Sequence, residues 1–468
     1  MEHRKAEPQR VPGADRQSVS HDAKDRPTRA LVVHIERRGA AHGDRSPESR
    51  LAESRLAEAV GLAWAIDVEV VGEVIVQLGT PVPASLMGRG KVTEIAGLVA
   101  EREIELVVVN AQLSPGQQRN LERAWDAKVL DRTGLILEIF GRRARTREGA
   151  LQVEHAHLSY QKSRLVRSWT HLERQRGGFG FIGGPGETQI EADRRLIQER
   201  LTRIEKQLEK VKRTRQLHRK GRERVPYPIV ALVGYTNAGK STLFNKLTAA
   251  GVDARDLLFA TLDPTMRRVR LAHGREIIFS DTVGFIADLP TNLIAAFRAT
   301  LEEVLQADVI LHVRDVAHEE AEAQSSDVDK VLDELGLDEA RRARIIEVWN
   351  KADLLAPEQH TALAIAAERR PGTVLVSAGA GDGLDELLGL IEARLAEQSD
   401  VAEISFAPEE GAEVAWLHDH AEVLERTVLE DGTLVLRVRL DPERLDTARR
   451  RFGDRLRLLP AAHRAAAE

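Results

Sequence analysis

Gly234, Tyr235, Thr236, Asn237, Ala238, Gly239, Lys240 and Ser241 follow directly on an apolar run, Pro228 to Val233, and lead into helix-like residues from Thr242 to Leu247. Strand, glycine-flanked loop, lysine and hydroxyl in this order form a cradle for a polyphosphate. The glycines let backbone amides converge on phosphate oxygens, and the start of the helix adds its positive end. Lys240 is expected to reach the two outer phosphates, and Ser241 to ligate Mg2+.

Two further loops fall at the ends of apolar strands downstream. Ile277 to Ser280 runs into Asp281, Thr282, Val283 and Gly284. In this DxxG arrangement Asp281 is expected to hold the metal through water, while the Gly284 amide senses the γ-phosphate. Ile345 to Trp349 runs into Asn350, Lys351, Ala352 and Asp353. A carboxylate at Asp353 can accept two hydrogen bonds from the ring N–H and exocyclic amine of guanine, a pattern that adenine lacks. Asn350 is expected to support the base and its loop, and Lys351 to stack its stem on the base. The strand Thr373 to Val376 then ends in Ser377, Ala378 and Gly379, where a backbone amide can meet the guanine oxygen.

Between the phosphate loop and Asp281 a switch segment must carry a threonine that completes the metal shell. The segment Phe259, Ala260, Thr261, Leu262, Asp263 makes Thr261 the first choice and Thr265 its rival. Lys240, Thr261 and Gly284 are then the catalytic set, and Ser241, Thr261 and Asp281 the metal set. Phe285 stands where many small GTPases place a glutamine that orients the attacking water. Either hydrolysis is slow until a partner surface, a mobile switch residue or a potassium ion completes the site, or Phe285 only packs and another residue positions water.

Two motifs compete poorly. Gly178 to Gly183 fits GxGxxG but follows polar helical sequence instead of a strand, so a turn between helices is favoured. Gly88, Gly90 and Lys91 resemble half a phosphate loop and could make at most a secondary phosphate contact. The 15 histidines show no HExxH spacing.

These loops need elements to position them, and 468 residues is more than one compact core usually sustains. The alternation of strands and helices over 225–399 predicts a nucleotide-binding α/β domain. Before it, a helix-like stretch ending at Val60, a β-rich stretch Ile66 to Leu78, a helix over Val92 to Arg102 and a strand Ile104 to Asn110 predict a smaller α/β unit over 49–141. Residues 142–224 read as a helical hairpin with a glycine-rich tip from Gly177 to Gly186. In its second helix Ile197, Leu201, Ile204, Leu208 and Val211 form a seam. Residues 400–468 predict a small α/β domain with β-like runs at Thr433 to Leu440 and Arg455 to Leu459 and helices at Trp416 to Arg426 and Glu443 to Arg451. Residues 1–48, rich in Arg, Asp, Ser and Pro, are expected to be a flexible tail.

The formal net charge of -6 gives no global pull toward nucleic acid. Locally, residues 194–224 hold thirteen Lys or Arg against four Glu. That helix is either a solvated face or a surface for RNA phosphates, and charge alone does not choose. With no cysteine, disulfides and thiolate metal sites are excluded. No stretch approaches the roughly 18 uncharged apolar residues of a membrane span, and the start MEHRKAEPQR lacks a secretory core. A cytoplasmic, monomeric protein, at most partly membrane-associated, is expected.

Gly88-Arg-Gly-Lys-Val92, Leu106-Val-Val-Val-Asn110, Leu113 to Asn120, Asp131 to Leu137, Gly177 to Thr188 and the phosphate, switch and DTVGF segments together resemble the HflX family of ribosome-associated bacterial GTPases. The resemblance runs from about Glu48 onward; Gln161 to Arg164 and Arg314 depart from it. It implies a central P-loop GTPase domain with an N-terminal α/β domain, a long helical hairpin and a small C-terminal α/β domain. It also implies a function in which the 50S ribosomal subunit and its RNA meet the Gly177 to Gly186 loop and the basic helix, and GTP drives splitting of stalled or idle 70S ribosomes under stress such as heat. A large-subunit assembly factor and a GTP-sensing RNA-binding protein are the alternatives.

Overall fold

The computed structural model describes residues 26–37, 52–175, 185–222, 227–249, 258–259, 261–262, 264–271, 275–287, 303–397, 399–440 and 442–459. The expected Ala260, Asp263 and most of the glycine tip, 177–184, lie outside these residues.

The first domain is a four-stranded parallel sheet of β1 (Arg29–Arg37), β2 (Glu69–Leu78), β3 (Leu106–Asn110) and β4 (Lys128–Asp131) in the order β2-β1-β3-β4. Helices α1 (Ala52–Trp64), α2 (Arg89–Glu101), α3 (Pro115–Trp125) and α4 (Arg132–Arg143) cover it. β1 corrects the expectation of a flexible tail through residue 48. Its ALVVHI run is too short, in a polar surrounding, to offset chain entropy alone. Inserted between β2 and β3, Ala30 to Val33 are at most 1% exposed, and burial on both faces supplies what local sequence does not. α3 begins with a capping box in which Ser114 and Gln117 satisfy each other's backbone amides.

α5 (Arg147–Gln175) and α6 (Pro185–Arg222) form the hairpin, and Gly186, expected in the tip, falls in the first turn of α6. At 38 residues α6 is about 57 Å long. Leu201 and Ile204 are buried along the expected seam, with Ile197, Leu208 and Val211 half-buried. Arg200 pairs with Glu154 across the hairpin at 2.7 Å.

The third domain is a six-stranded sheet in the order β10-β9-β8-β5-β7-β6: β5 (Ile229–Gly234), β6 (Thr265–Arg270), β7 (Glu276–Asp281), β8 (Val309–Asp315), β9 (Ile346–Asn350) and β10 (Thr373–Leu375). All neighbours are parallel except β6 against β7. Helices α7 (Lys240–Thr248), α8 (Ala321–Glu334), α9 (Glu339–Arg342), α10 (Pro357–Glu368) and α11 (Leu384–Ala396) accompany it. The parallel strands bring every predicted loop to their C-terminal ends, where open α/β sheets bind ligands.

The last domain is an antiparallel sheet, β12-β13-β11-β14, of β11 (Asp400–Phe406), β12 (Glu422–Val428), β13 (Leu434–Leu440) and β14 (Leu456–Leu458), with α12 (Gly411–His420) and α13 (Pro442–Phe452). Residues 422–426, expected as helix, are strand instead. β12 leaves Glu425 to Val428 exposed, so little buried alternation marked it, and pairing to β13 decided its state.

One apolar core runs through both large domains. It joins Leu56, Val60, Leu135 and Phe140 of α1 and α4 to Tyr235, Phe259, Phe285 and Ile286 of the nucleotide-binding domain. Phe140 meets Phe259 edge-on, 4.8 Å between ring centroids. The two arginines that depart from the family pattern are held in ion pairs: Arg314 to Glu322 at 2.6 Å and Glu347 at 3.0 Å, and Arg164 to Asp131 at 2.6 Å.

Candidate nucleotide-binding site

β5 ends at Gly234, whose φ of +151° brings its backbone against β8; a Cβ there would lie 2.2 Å from the Val313 carbonyl oxygen. Only glycine fits. The loop then turns through Asn237 (φ 62°) and reaches Gly239, the N-cap of α7. Tyr235, Thr236 and Ala238 are buried in the loop, and Thr242 lies in the first turn of α7, whose amides face the loop.

Lys240 is buried, and its Nζ donates to the carbonyl oxygens of Tyr235 at 2.7 Å and Gly234 at 3.1 Å. Burial lowers its pKa to about 8, with the nearby Asp281 carboxylate pulling the other way. A cation held so dry, with one carboxylate near, is set to gain from the charge of a phosphate.

Ser241, Thr261 and Asp281 converge. The Asp281 Oδ2 accepts from Ser241 Oγ at 2.8 Å and from Thr261 Oγ1 at 2.9 Å, and the two hydroxyls are 3.0 Å apart. Thr265, the rival, starts β6 and stands opposite Asp281 in the ladder. Burial raises the Asp281 pKa, against Lys240 and the two hydroxyls. Its Oδ1 is buried with no hydrogen-bond partner. Hard oxygens with one carboxylate oxygen unspent fit Mg2+, which would supply charge at the β- and γ-phosphates. Among the described residues no cluster of His, Asp or Glu suggests another metal.

The Thr282 hydroxyl donates to the Leu232 carbonyl at 2.5 Å, and Val283 is buried. Gly284 lies so close to the phosphate loop that a Cβ would stand 2.9 Å from Lys240 Nζ and 3.0 Å from Thr236. Phe285 points its ring into the shared core, 1% exposed, while its backbone bridges the loop: its amide donates to the Gly234 oxygen at 3.0 Å, and its oxygen accepts from the Thr236 amide at 2.7 Å. Its side chain therefore packs away from the phosphates. Phe259 and Leu262 of the first switch segment are buried as well.

At the base end Asn350 donates to the Ala238 oxygen at 2.8 Å and accepts from the Ala378 amide at 2.9 Å. Asp353 Oδ1 accepts from Ser377 Oγ at 2.6 Å, which in turn accepts from the Ala380 amide at 3.0 Å. The carboxylate is thus fixed before a base arrives. Gly379 leaves it open: a Cβ there would still be 4.0 Å from Asp353 Oδ2. Ala352 is buried and donates its amide to Val376. Lys351, at φ 67°, pairs with Asp315 Oδ2 at 2.8 Å. Asp315 was not singled out in the sequence. Its signal was there, an acidic residue ending the apolar run of β8 as Asn350 ends β9. Lys91 of the half-motif is engaged by Glu94 at 2.7 Å in its own helix.

Fold and site together define a P-loop GTPase. Family models match nearly end to end: a GTP-binding GTPase N-terminal region over 53–141, a GTP-binding GTPase middle region over 143–222, a 50S ribosome-binding GTPase over 229–351 and an HflX C-terminal domain over 362–459. GTPase HflX of Magnetococcus marinus is 51% identical over 381 residues, 81% of this chain and 87% of the relative. GTPase HflX of Escherichia coli is 44% identical over 360 residues, 77% and 83% of the two chains. A GDP-bound GTP-binding protein of Sulfolobus solfataricus aligns at 22% identity and TM-score 0.43, over 80% of this chain and 99% of that one. The chain belongs to the HflX family, and it is a GTP hydrolase. No helix among the described residues is long and apolar enough to cross a membrane.

Proposed function

We infer that this GTPase binds the large ribosomal subunit and uses GTP to split stalled or idle 70S ribosomes. The observation that carries the reading is the 50S ribosome-binding GTPase match over the domain that holds Lys240, Ser241 and Asp281. The basic stretch 194–224, which α6 carries as far as Arg222, supports contact with the phosphates of ribosomal RNA. The glycine-rich sequence Gly177 to Gly186, most of which lies outside the described residues, would permit close backbone approach to RNA.

Within the cycle, Lys240 would neutralise the β- and γ-phosphates and the Gly284 amide would report the γ-phosphate, while Ser241, Thr261 and Asp281 would hold a magnesium that supplies positive charge at those phosphates. GTP orders the two switch loops and so favours a form that wedges the subunits apart, and hydrolysis then permits release. In this reading the protein acts as a cytoplasmic monomer, and heat or a similar stress makes it necessary.

Sedimentation of intact 70S ribosomes with the protein tests the reading. GTP or a non-hydrolysable analogue should convert 70S particles to subunits, and GDP should not. Intact 70S with either nucleotide, together with binding confined to immature large subunits, would replace splitting with an assembly role.

A further inference from the structure

Ala287, three residues after Gly284, is held at both of its backbone polar groups. Its amide donates to the Tyr235 hydroxyl at 2.9 Å, and its oxygen accepts from Arg132 Nη2 at 2.8 Å. Tyr235 belongs to the phosphate loop and Arg132 to α4 of the N-terminal domain. Glu58 of α1 closes the ring: one carboxylate oxygen pairs with Arg132 at 2.7 Å and the other accepts from the Tyr235 hydroxyl. Arg132 also donates to Asn110 Oδ1 at 2.6 Å, which fixes the guanidinium from behind. The ring is nearly dry, with the Arg132 and Glu58 side chains 7% and 12% exposed, so a lost partner leaves a buried charge or donor unpaired.

The first switch segment meets the same two helices. Phe259 packs edge-on to Phe140 of α4, and Leu258 lies on Gly61 of α1, where a Cβ would be 3.1 Å from its side chain. In this arrangement Thr261 is already at Ser241 and Asp281. That is the place expected of a threonine that serves the metal of a bound triphosphate, so the ring coexists with a first switch segment drawn in over the site.

We propose that Arg132 and Glu58, supplied by the N-terminal domain, are positioning residues for GTP hydrolysis, acting on the second switch through Ala287 and on the phosphate loop through Tyr235. Coupling is reciprocal: whatever shifts α1 and α4 changes the preference for GTP over GDP, and the bound nucleotide sets where the two helices rest. The proposal goes beyond the ribosomal reading and needs only the GTPase.

The test uses the full chain with Arg132→Ala, Arg132→Lys and Glu58→Gln. Dissociation constants for GDP and for a non-hydrolysable GTP analogue are measured alongside kcat and KM for GTP. In Arg132→Ala, affinity for the analogue relative to GDP should fall at least fivefold, with kcat down by a similar factor, and Arg132→Lys should recover more than half of the shift. Glu58→Gln, which keeps an acceptor for Tyr235 but loses the ion pair, should shift in the same direction. A ratio within twofold of wild type in a variant that melts normally, or a shift toward the analogue, overturns the proposal. Should the variants not fold, hydrogen exchange at the Ala287 amide of the native protein decides: protection at least tenfold greater with the analogue than with GDP supports the ring, and equal protection overturns it.

Discussion

Asn350 reaches from the end of β9 to the phosphate loop, where its Nδ2 donates to the Ala238 carbonyl oxygen at 2.8 Å, while its Oδ1 holds the Ala378 amide. One side chain, 1% exposed, thus ties together the loops for the phosphates and for the base.

Truncating it should loosen both. Asn350→Ala leaves a buried carbonyl and a buried amide unpaired, a cost of about 1–3 kcal/mol each. GDP affinity measured by fluorescence titration should fall by at least about thirtyfold, the lower end of that combined cost. A fall of less than threefold would mean that the base loop is held by other contacts.

Asp353 is expected to set the choice of base. With Ser377 anchoring Oδ1, an Asp353→Asn side chain would keep its position but present an N–H to the guanine amine. GTP affinity should drop by about 10³, and xanthosine triphosphate, which has a carbonyl there, should become the better ligand. Titration with both nucleotides checks the exchange of preference.

Most of this site could be read in the chain because each loop pairs a short functional segment with an apolar strand that ends at it. Pro228 to Val233, Ile277 to Ser280 and Ile345 to Trp349 are strands buried on both faces, and continuous apolar runs announce such strands. β1 and β12 lacked that signal. β1 carries a short apolar run isolated in polar sequence and owes its state to strands distant in the chain, while β12 is largely exposed and owes its state to pairing with the neighbouring β13. The Tyr235, Glu58, Arg132 and Ala287 ring was illegible for a related reason. Its members are up to 229 positions apart, from Glu58 to Ala287, and only the packing of two domains brings them together.

The phosphate-loop lysine makes nucleotide binding depend on pH. Burial lowers the Lys240 pKa to about 8, below its unfolded value. Between about 8 and the ordinary lysine range the unfolded chain holds the extra proton, so this group makes the unliganded protein more stable as pH rises through that window. Bound phosphates favour the charged lysine, so binding takes up a proton above pH 8. GTP affinity should weaken from pH 7 to pH 9, by no more than tenfold per unit, and calorimetry in two buffers should detect the uptake. Binding without proton uptake would contradict the dry placement of Lys240.

Acid should act through two buried histidines. Burial lowers His34 and His312 to about 4, aided by Arg55 and Arg132 near the first and by Arg314 and Lys240 near the second, where Glu347 opposes. Both folded values lie below the unfolded 6.5, so the unfolded chain takes up protons first as pH falls. Stability is lost from about pH 6.5 toward 4, by up to about 1.4 kcal/mol per unit for each histidine. Thermal melting across that range should show the slope, and a His34→Gln, His312→Gln double variant should flatten it.

Phe285 turns its ring into the core between the domains and leaves the attacking water without a glutamine to orient it. The most direct test of a ribosome-activated GTPase is steady-state GTP hydrolysis by the full chain, alone and with purified large ribosomal subunits. The account predicts slow turnover alone and a rise of at least tenfold with the subunits, about 1.4 kcal/mol off the barrier. An unchanged rate at saturating subunits would contradict it.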